Sequence, residues 1–316
     1  MPLRSHRLGS TARTVLPQLL IFTIAKGFGD RRLAQNGVVT DWDEVLGHDF
    51  LVPPGRPVAE LAGELLTMLE SPDPKIRDDT AYLVLAIWTG RGVLDGHLAG
   101  IGDGLAGRLA GPIYQRTFAA ISLAGVVLRD AGTGELDDGR VLGWLDTFTS
   151  WWRQETDLRG WDPQLGWLHA AAHGADALRA FGRSPRLAAP QLRDLLDLAA
   201  DRLLADRGYL FAHGEDDRIA YALASVLTRA ELPASAAASW LGRLHDAIAD
   251  GTPGPVPPWA ANTLRTLASL YIFADRGVAW YDPQTDAFAP PVRLPHAAEL
   301  KDQIAAVLRL PWRGLG

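Results

Sequence analysis

Apolar residues return every three to four positions along most of the chain, and the strict alternation of a half-buried strand is almost absent. This period predicts helices near residues 57–70, 76–90, 93–110, 113–129, 138–154, 165–182, 188–206, 216–230, 234–250, 259–274 and 294–308. Helix breakers lie between them: SPDP at 71–74, Gly111 with Pro112, DAGTGELDDG at 130–139, RGWDPQLG at 159–166, GRSP at 182–185 and GTPGPVPP at 251–258. Ser71 or Asp73 can cap the helix that follows, with Pro74 near its first turn. Short connectors between helices of similar length favour antiparallel hairpins laid side by side.

The expected fold class is all-α: a degenerate HEAT- or armadillo-like helical repeat of stacked antiparallel helix pairs, with a closed helical toroid or a large bundle as the alternative. Residues 51–316 are expected to form a single all-helical repeat domain with a loop near 281–291. Residues 1–50 read as an N-terminal extension, partly helical or flexible. The adjacent Trp151 and Trp152 point about 100° apart on a helix, so they reach two different neighbours, as stacked layers require.

With 316 residues of which 47% are hydrophobic, the chain can build a substantial core. Acidic residues outnumber basic ones, 37 to 31, and no block of Lys and Arg alternates with aromatics, so nucleic acid is not an expected partner. The absence of cysteine excludes disulfides, thiolate zinc sites and cysteine nucleophiles, and fits the expected cytoplasmic location. VLPQLLIFTIA at 15–25 follows basic residues, but it is short and leads into Lys26, Asp30, Arg31 and Arg32 instead of a cleavage site, so it is not read as a signal peptide. No run reaches the roughly 18 to 20 apolar residues of a membrane span, and no transmembrane segment is expected.

Chemistry concentrates in WWRQETDLRGWDPQLGWLHAAAHGADAL at 151–178. On a helix drawn from Trp167, Ala171, Gly174, Leu178 and Phe181 fall within roughly 40° of it, while His169, His173 and Asp176 gather on the opposite side. Two imidazoles one turn apart, with a carboxylate on the next turn, can share a divalent metal, position an anion or enter a hydrogen-bonded network. In the metal reading, His169, His173 and Asp176 are the ligands, Glu215 or Asp216 completes the set, and the ion activates water for hydrolysis. HAAAH carries Ala170 where HExxH needs its glutamate, so the zinc-peptidase form of that reading fails. The small residues around the histidines let neighbouring helices approach, and enclosed imidazoles then need partners or a ligand.

Asp157 and Arg159 are candidate ligand contacts, expected to reach across to other helices sooner than to pair with each other. Glu155 reads as a solvent-facing acid near a helix end. Glu215, Asp216 and Asp217 follow Gly214 at an expected helix start, where carboxylates complement free amides and the dipole. Of these Glu215 is the candidate to join the site from a second helix, and Arg218 to pair with an acid or bind an anion. Trp161 and Trp167 can wall a pocket or fill the gap between layers. His213 gives a weaker metal candidate, Asp78 and Asp79 read as first-turn charges, and Asn262 as a cap or interhelical hydrogen bonder. GDGLAG at 102–107 lacks the GxGxxG pattern, and no GxSxG turn occurs.

The ordered set RDDTAYLVLAIW at 77–88, WWRQETDLRGW at 151–161, GWLHAAAHGADAL at 166–178, GEDDRIAYAL at 214–223 and NTLRTLASLY at 262–271 resembles the DUF2785 family of uncharacterised bacterial proteins, over roughly residues 57–275. The resemblance implies an all-helical protein and leaves the activity open. Asp217 stands where the family's GEDER-like form has a glutamate. The expected function is a helical-repeat binding scaffold engaging a protein, peptide or small polar ligand through Asp157, Arg159, Trp161, Trp167, His169, His173, Asp176, Glu215 and Arg218. A metal-assisted hydrolase at His169, His173 and Asp176 is the alternative.

Overall fold

Each helix predicted from the apolar period is present in the computed structural model, which describes residues 32–35, 38–251, 254–282 and 287–311. The apolar run at 15–25 lies outside the described residues. The chain enters through an antiparallel hairpin, β1 (Arg32–Gln35) and β2 (Val38–Asp41), and a short helix α1 (Trp42–Gly47) capped by the Asp41 carboxylate, which accepts from Glu44 N at 3.1 Å. Trp42 is fully buried against Trp88, ring centroids 6.1 Å apart. After α2 (Val58–Met68), Asp73 caps α3 (Pro74–Ile76) as its spacing predicts, accepting from Lys75 N at 2.9 Å.

The expected helix at 76–90 is not regular. Residues Arg77–Tyr82 form a π-helical turn before α4 (Leu83–Arg91), so one extra residue is accommodated and Asp78 lies beside Arg77 inside the turn, not at a helix start.

The remaining helices fall into two rows. One holds α4, α6 (Ile113–Thr133), α8 (Ala170–Arg183), α10 (Glu215–Leu227) and α12 (Pro258–Arg276), each against the next. The other holds α5 (Leu98–Arg108), α7 (Asp138–Gln154), α9 (Ala189–Leu204), α11 (Ala234–Ala249) and α13 (Ala297–Arg309). Skipping one helix at each step is what stacked antiparallel pairs produce, and the fold is a helical repeat of that kind.

Helix α8 lies at the centre and is buried on every side from Ala170 to Gly182. Its alanines and glycines permit this: a Cβ at Gly174 would run into the Trp152 indole, and one at Gly182 into Val226 of α10. Phe148 stacks on both Trp152 (5.9 Å) and Phe181 (5.5 Å), joining the two rows. At the far end of α8, Arg229 donates to the Gly182, Ser184 and Leu187 carbonyls at 3.0, 2.7 and 3.0 Å, satisfying acceptors that a helix leaves open.

One expectation changes. The helix predicted over 165–182 begins at Ala170, because residues 161–167 form a hairpin, β3 (Trp161–Asp162) with β4 (Gly166–Trp167). The close approach that the small residues of α8 permit is realised, and His169, His173 and Asp176 are buried with α6 and α10 packed on α8. Within the stretch near 281–291, β5 (Tyr281–Asp282) pairs antiparallel with β6 (Ala287–Phe288). Among the described residues no helix is long and apolar enough to cross a membrane.

Candidate functional site

The row-mates α6, α8 and α10 run parallel, so their N-terminal ends and the loops that feed them share one edge. Thr117, early in α6, meets His173, early in α8, and Asp176 meets Arg218, early in α10. Two loops meet on that edge, residues 155–169 before α8 and 205–214 before α10.

The first loop is organised by Arg77 of the π-helical turn. Its guanidinium is fully buried over the Phe118 ring (4.8 Å), donates to Leu165 O at 2.6 Å and Trp167 O at 3.4 Å, and lies 2.6 Å from Asp78. Burial raises the Asp78 carboxyl to about 7, the Arg77 charge opposing. The hairpin turn is closed by Asp162, whose Oδ1 accepts from Gln164 N (2.9 Å) and Leu165 N (3.0 Å). Its register sets Trp161 opposite Trp167, ring centroids 4.8 Å apart.

At the loop's end Leu168 N and His169 N both donate to Gly160 O, at 2.9 and 3.3 Å. His169 then takes a left-handed backbone, φ +51°, as the cap of α8. A non-glycine residue in this region costs on the order of 1 kcal/mol, and such strain concentrates at functional positions.

The second loop is tied to α12. Asn262 donates to Tyr209 O (2.9 Å) and accepts from Phe211 N (2.9 Å), a helix-to-loop tie where a cap or an interhelical bond was expected, and Arg265 bridges Phe211 O (2.7 Å) to Asp216 (2.5 Å). The loops join where Gly160 N donates to the Tyr209 hydroxyl at 2.9 Å. Gly160 must be glycine, since a Cβ there would strike the His213 ring and come within 2.9 Å of Glu215 Oε1.

His213 and Glu215 thus lie against Gly160, and His169, bonded to Gly160 O, links them to Trp167 and His173. Trp167 touches the rings of His169 (4.3 Å) and His213 (5.5 Å), and His169 lies 5.5 Å from His173. His169, His173 and Glu215 are buried, whereas Trp161 is 49% exposed, so the aromatic series Trp161, Trp167, His169 leads from the surface inward. Glu215 Oε2 accepts from His213 N at 2.7 Å, while Glu215 Oε1 and His169 Nδ1 are buried with no hydrogen-bond partner among the described residues. Burial, then the charges of Arg218 and His213, pushes His169 down to about 3. Burial, Arg218 and His169 push His173 well below its ordinary range, although its Nδ1 faces Thr117 O at 3.1 Å. Both imidazoles are neutral at pH 7.

The sequence candidates separate into groups. His169, His173, Trp167, Trp161 and Glu215 come together, and Glu215, Asp216 and Asp217 start α10 as expected. Asp176 is engaged by Arg218 on α10, and Asp216 by Arg265. Among the described residues no group of three or more His, Asp or Glu side chains is placed to hold a metal ion, so His169, His173 and Asp176 do not form the expected ligand set. The two imidazoles stay close, ring centroids 5.5 Å apart, whereas the Asp176 carboxylate is taken by Arg218.

Asp157 and Arg159 pair with each other, contrary to expectation: Arg159 donates to both Asp157 oxygens (2.9 and 2.6 Å) and to Asp162 (2.5 Å), bracing the loop from its exposed side. Glu155 is buried, not solvent-facing. It receives Arg116 at 2.5 and 2.8 Å, Trp151 Nε1 at 3.0 Å and the amides of Thr156 and Asp157. Burial works to raise its carboxyl, but these donors, Arg116 foremost, hold it below the ordinary range. Arg77, Tyr209 and Arg116 escaped the sequence reading because their partners lie far away in the chain.

No curated protein and no solved structure matches this chain. The profile of a family described as "Protein of unknown function (DUF2785)" matches residues 105–272, a shorter span than the resemblance suggested and one that leaves RDDTAYLVLAIW outside it. That span is more than half of the sequence, and the chain belongs to the DUF2785 family.

Proposed function

We propose that this protein is a helical-repeat binding module that takes a small polar ligand at the edge where the 155–169 and 205–214 loops meet. The observation that carries this reading is the pair of buried, unpartnered atoms His169 Nδ1 and Glu215 Oε1, at the inner end of the aromatic series that starts at exposed Trp161. Each unmet buried polar atom costs roughly 1–3 kcal/mol, and a ligand hydroxyl or amine satisfies it. Trp161 and Trp167 supply flat apolar surface against which the carbon side of such a ligand lies. A small ligand fits this arrangement better than a peptide, because the unsatisfied atoms are enclosed while the exposed part of the site is little more than one indole.

The test is a thermal-unfolding screen of the full chain against monosaccharides, polyols and amino alcohols, repeated with Trp161→Ala and Glu215→Gln. A saturable rise in Tm that both variants lose supports the reading. No rise with any compound, or a rise that both variants keep, refutes it.

A further inference from the structure

We propose that Arg179 and Arg183, one turn apart on α8, form with Tyr82 and Tyr221 a binding site for a small oxyanion: the phosphate or carboxylate group of a ligand. This does not rest on the preceding reading, whose residues are different.

Arginines in this protein are generally matched by acids. Arg116 meets Glu155, Arg186 meets Asp130 and Asp138, and Arg218 meets Asp176. Arg179 and Arg183 have no carboxylate within ion-pair distance and no hydrogen bond among the described residues. Arg179 is nevertheless only 5% exposed, and its Nε has no partner. A buried cation without a counter-charge is costly, and an anionic ligand would supply the missing charge.

Each guanidinium carbon lies over an aromatic ring, Arg179 5.5 Å from the Tyr221 centroid and Arg183 4.5 Å from that of Trp280, and these cation–π contacts leave N–H donors for a fork-shaped acceptor. The Tyr221 hydroxyl is fixed by donating to Ala279 O at 2.8 Å. Tyr82 is buried beside Phe118 and within the field of Arg179 and Arg218. Burial raises its phenol, so it remains a donor at neutral pH. Two cations and a phenolic donor select an anion over a neutral or cationic ligand, and Asp78, the acid whose charge reaches Tyr82, is paired with Arg77.

The experiment titrates the full chain with inorganic phosphate and, separately, malonate, following Tm and heat of binding at constant ionic strength against chloride. Wild type is compared with Arg179→Gln, Arg183→Gln and the exposed-site control Arg193→Gln. The expected result is saturable stabilisation by phosphate or malonate. Affinity should fall at least tenfold in Arg179→Gln and measurably in Arg183→Gln, be unchanged in Arg193→Gln, and the Tm of unliganded Arg179→Gln should not lie below that of wild type. The stronger of the two anions identifies the source as phosphate or carboxylate. Stabilisation no greater than with chloride, or kept in full by Arg179→Gln, overturns the proposal. Should Arg179→Gln fail to fold, half-buried Arg183→Gln decides by the same criterion.

Discussion

The imidazole of His169 lies flat on the indole of Trp167, with ring centroids 4.3 Å apart and planes within 5° of parallel. Stacking fixes the orientation of His169 Nδ1, so the strained cap and the aromatic series act as one unit. Trp167→Leu should therefore loosen the imidazole without breaking α8. The expected outcome is unchanged helical circular dichroism, a loss of about 1 kcal/mol in urea unfolding, and exchange broadening of the His169 ring signals in NMR. A sharp, unshifted His169 spectrum in the variant would show that the stack does not position the ring.

Acid sensitivity should originate here too. His169 and His173 are neutral in the fold, while the unfolded chain takes up their protons as the pH drops through 6.5. Their stabilising effect is complete above about pH 6.5 and declines below it, by roughly 1 kcal/mol per pH unit for each imidazole. For His169 this continues to about pH 3. His169→Asn should flatten the dependence of unfolding free energy on pH between 6 and 4, and curves parallel to wild type would contradict the depressed titration.

Arg116 and Glu155 make a second test, this one of stability alone. Arg116→Met leaves Glu155 buried with Trp151 and two amides as its remaining donors, and should destabilise by about 3–5 kcal/mol. The double variant with Glu155→Gln should recover part of that loss. Equal destabilisation in single and double variants would mean that the ion pair is not the source.

Gly174→Ala places a methyl group against the Trp152 indole, which is fully buried and donates to Ala170 O at 3.2 Å. The expected cost is about 1–3 kcal/mol, read as a lowered Tm. Gly242→Ala, where a Cβ meets nothing within 4 Å, serves as the tolerant control.

Arg77→Lys keeps the charge but loses the planar fork that holds Leu165 O and Trp167 O. Limited proteolysis should then cut within 159–167 at a rate at which wild type is intact. Identical digestion patterns would remove Arg77 from its role in holding the hairpin.

The helices were legible because their apolar period continues over ten or more residues and because caps such as Asp73 act within two residues of their targets. The hairpin was not. Trp161 and Trp167 are six residues apart and Gly166 adopts φ +73°, a turn that a helical wheel drawn through Trp167 conceals. Proximity in the site was partly legible, since His169, His173, Trp167 and Glu215 do converge. The charge pairings were not, because Glu155 finds Arg116 39 residues away and the polar residues 176 and 218 find each other across 42. Whether a charged residue is buried depends on such distant partners, so nothing in the sequence singles out Arg179 and Arg183.

The two-row arrangement also bears on how the molecule opens. Helices α6 to α12 of the first row lean mainly on their row-mates, while α5 and α13 lean most on α6 and α12 across the rows, so local unfolding is easiest at the ends, where neighbours are missing, and hardest at α8, which has neighbours on every side. Amide exchange should slow from α13 and α2 toward α8. The polar imidazoles His169 and His173 are therefore carried by the helix that breathes least, and the loop that feeds it is held to the same stack through Arg77, Arg116 and Tyr209.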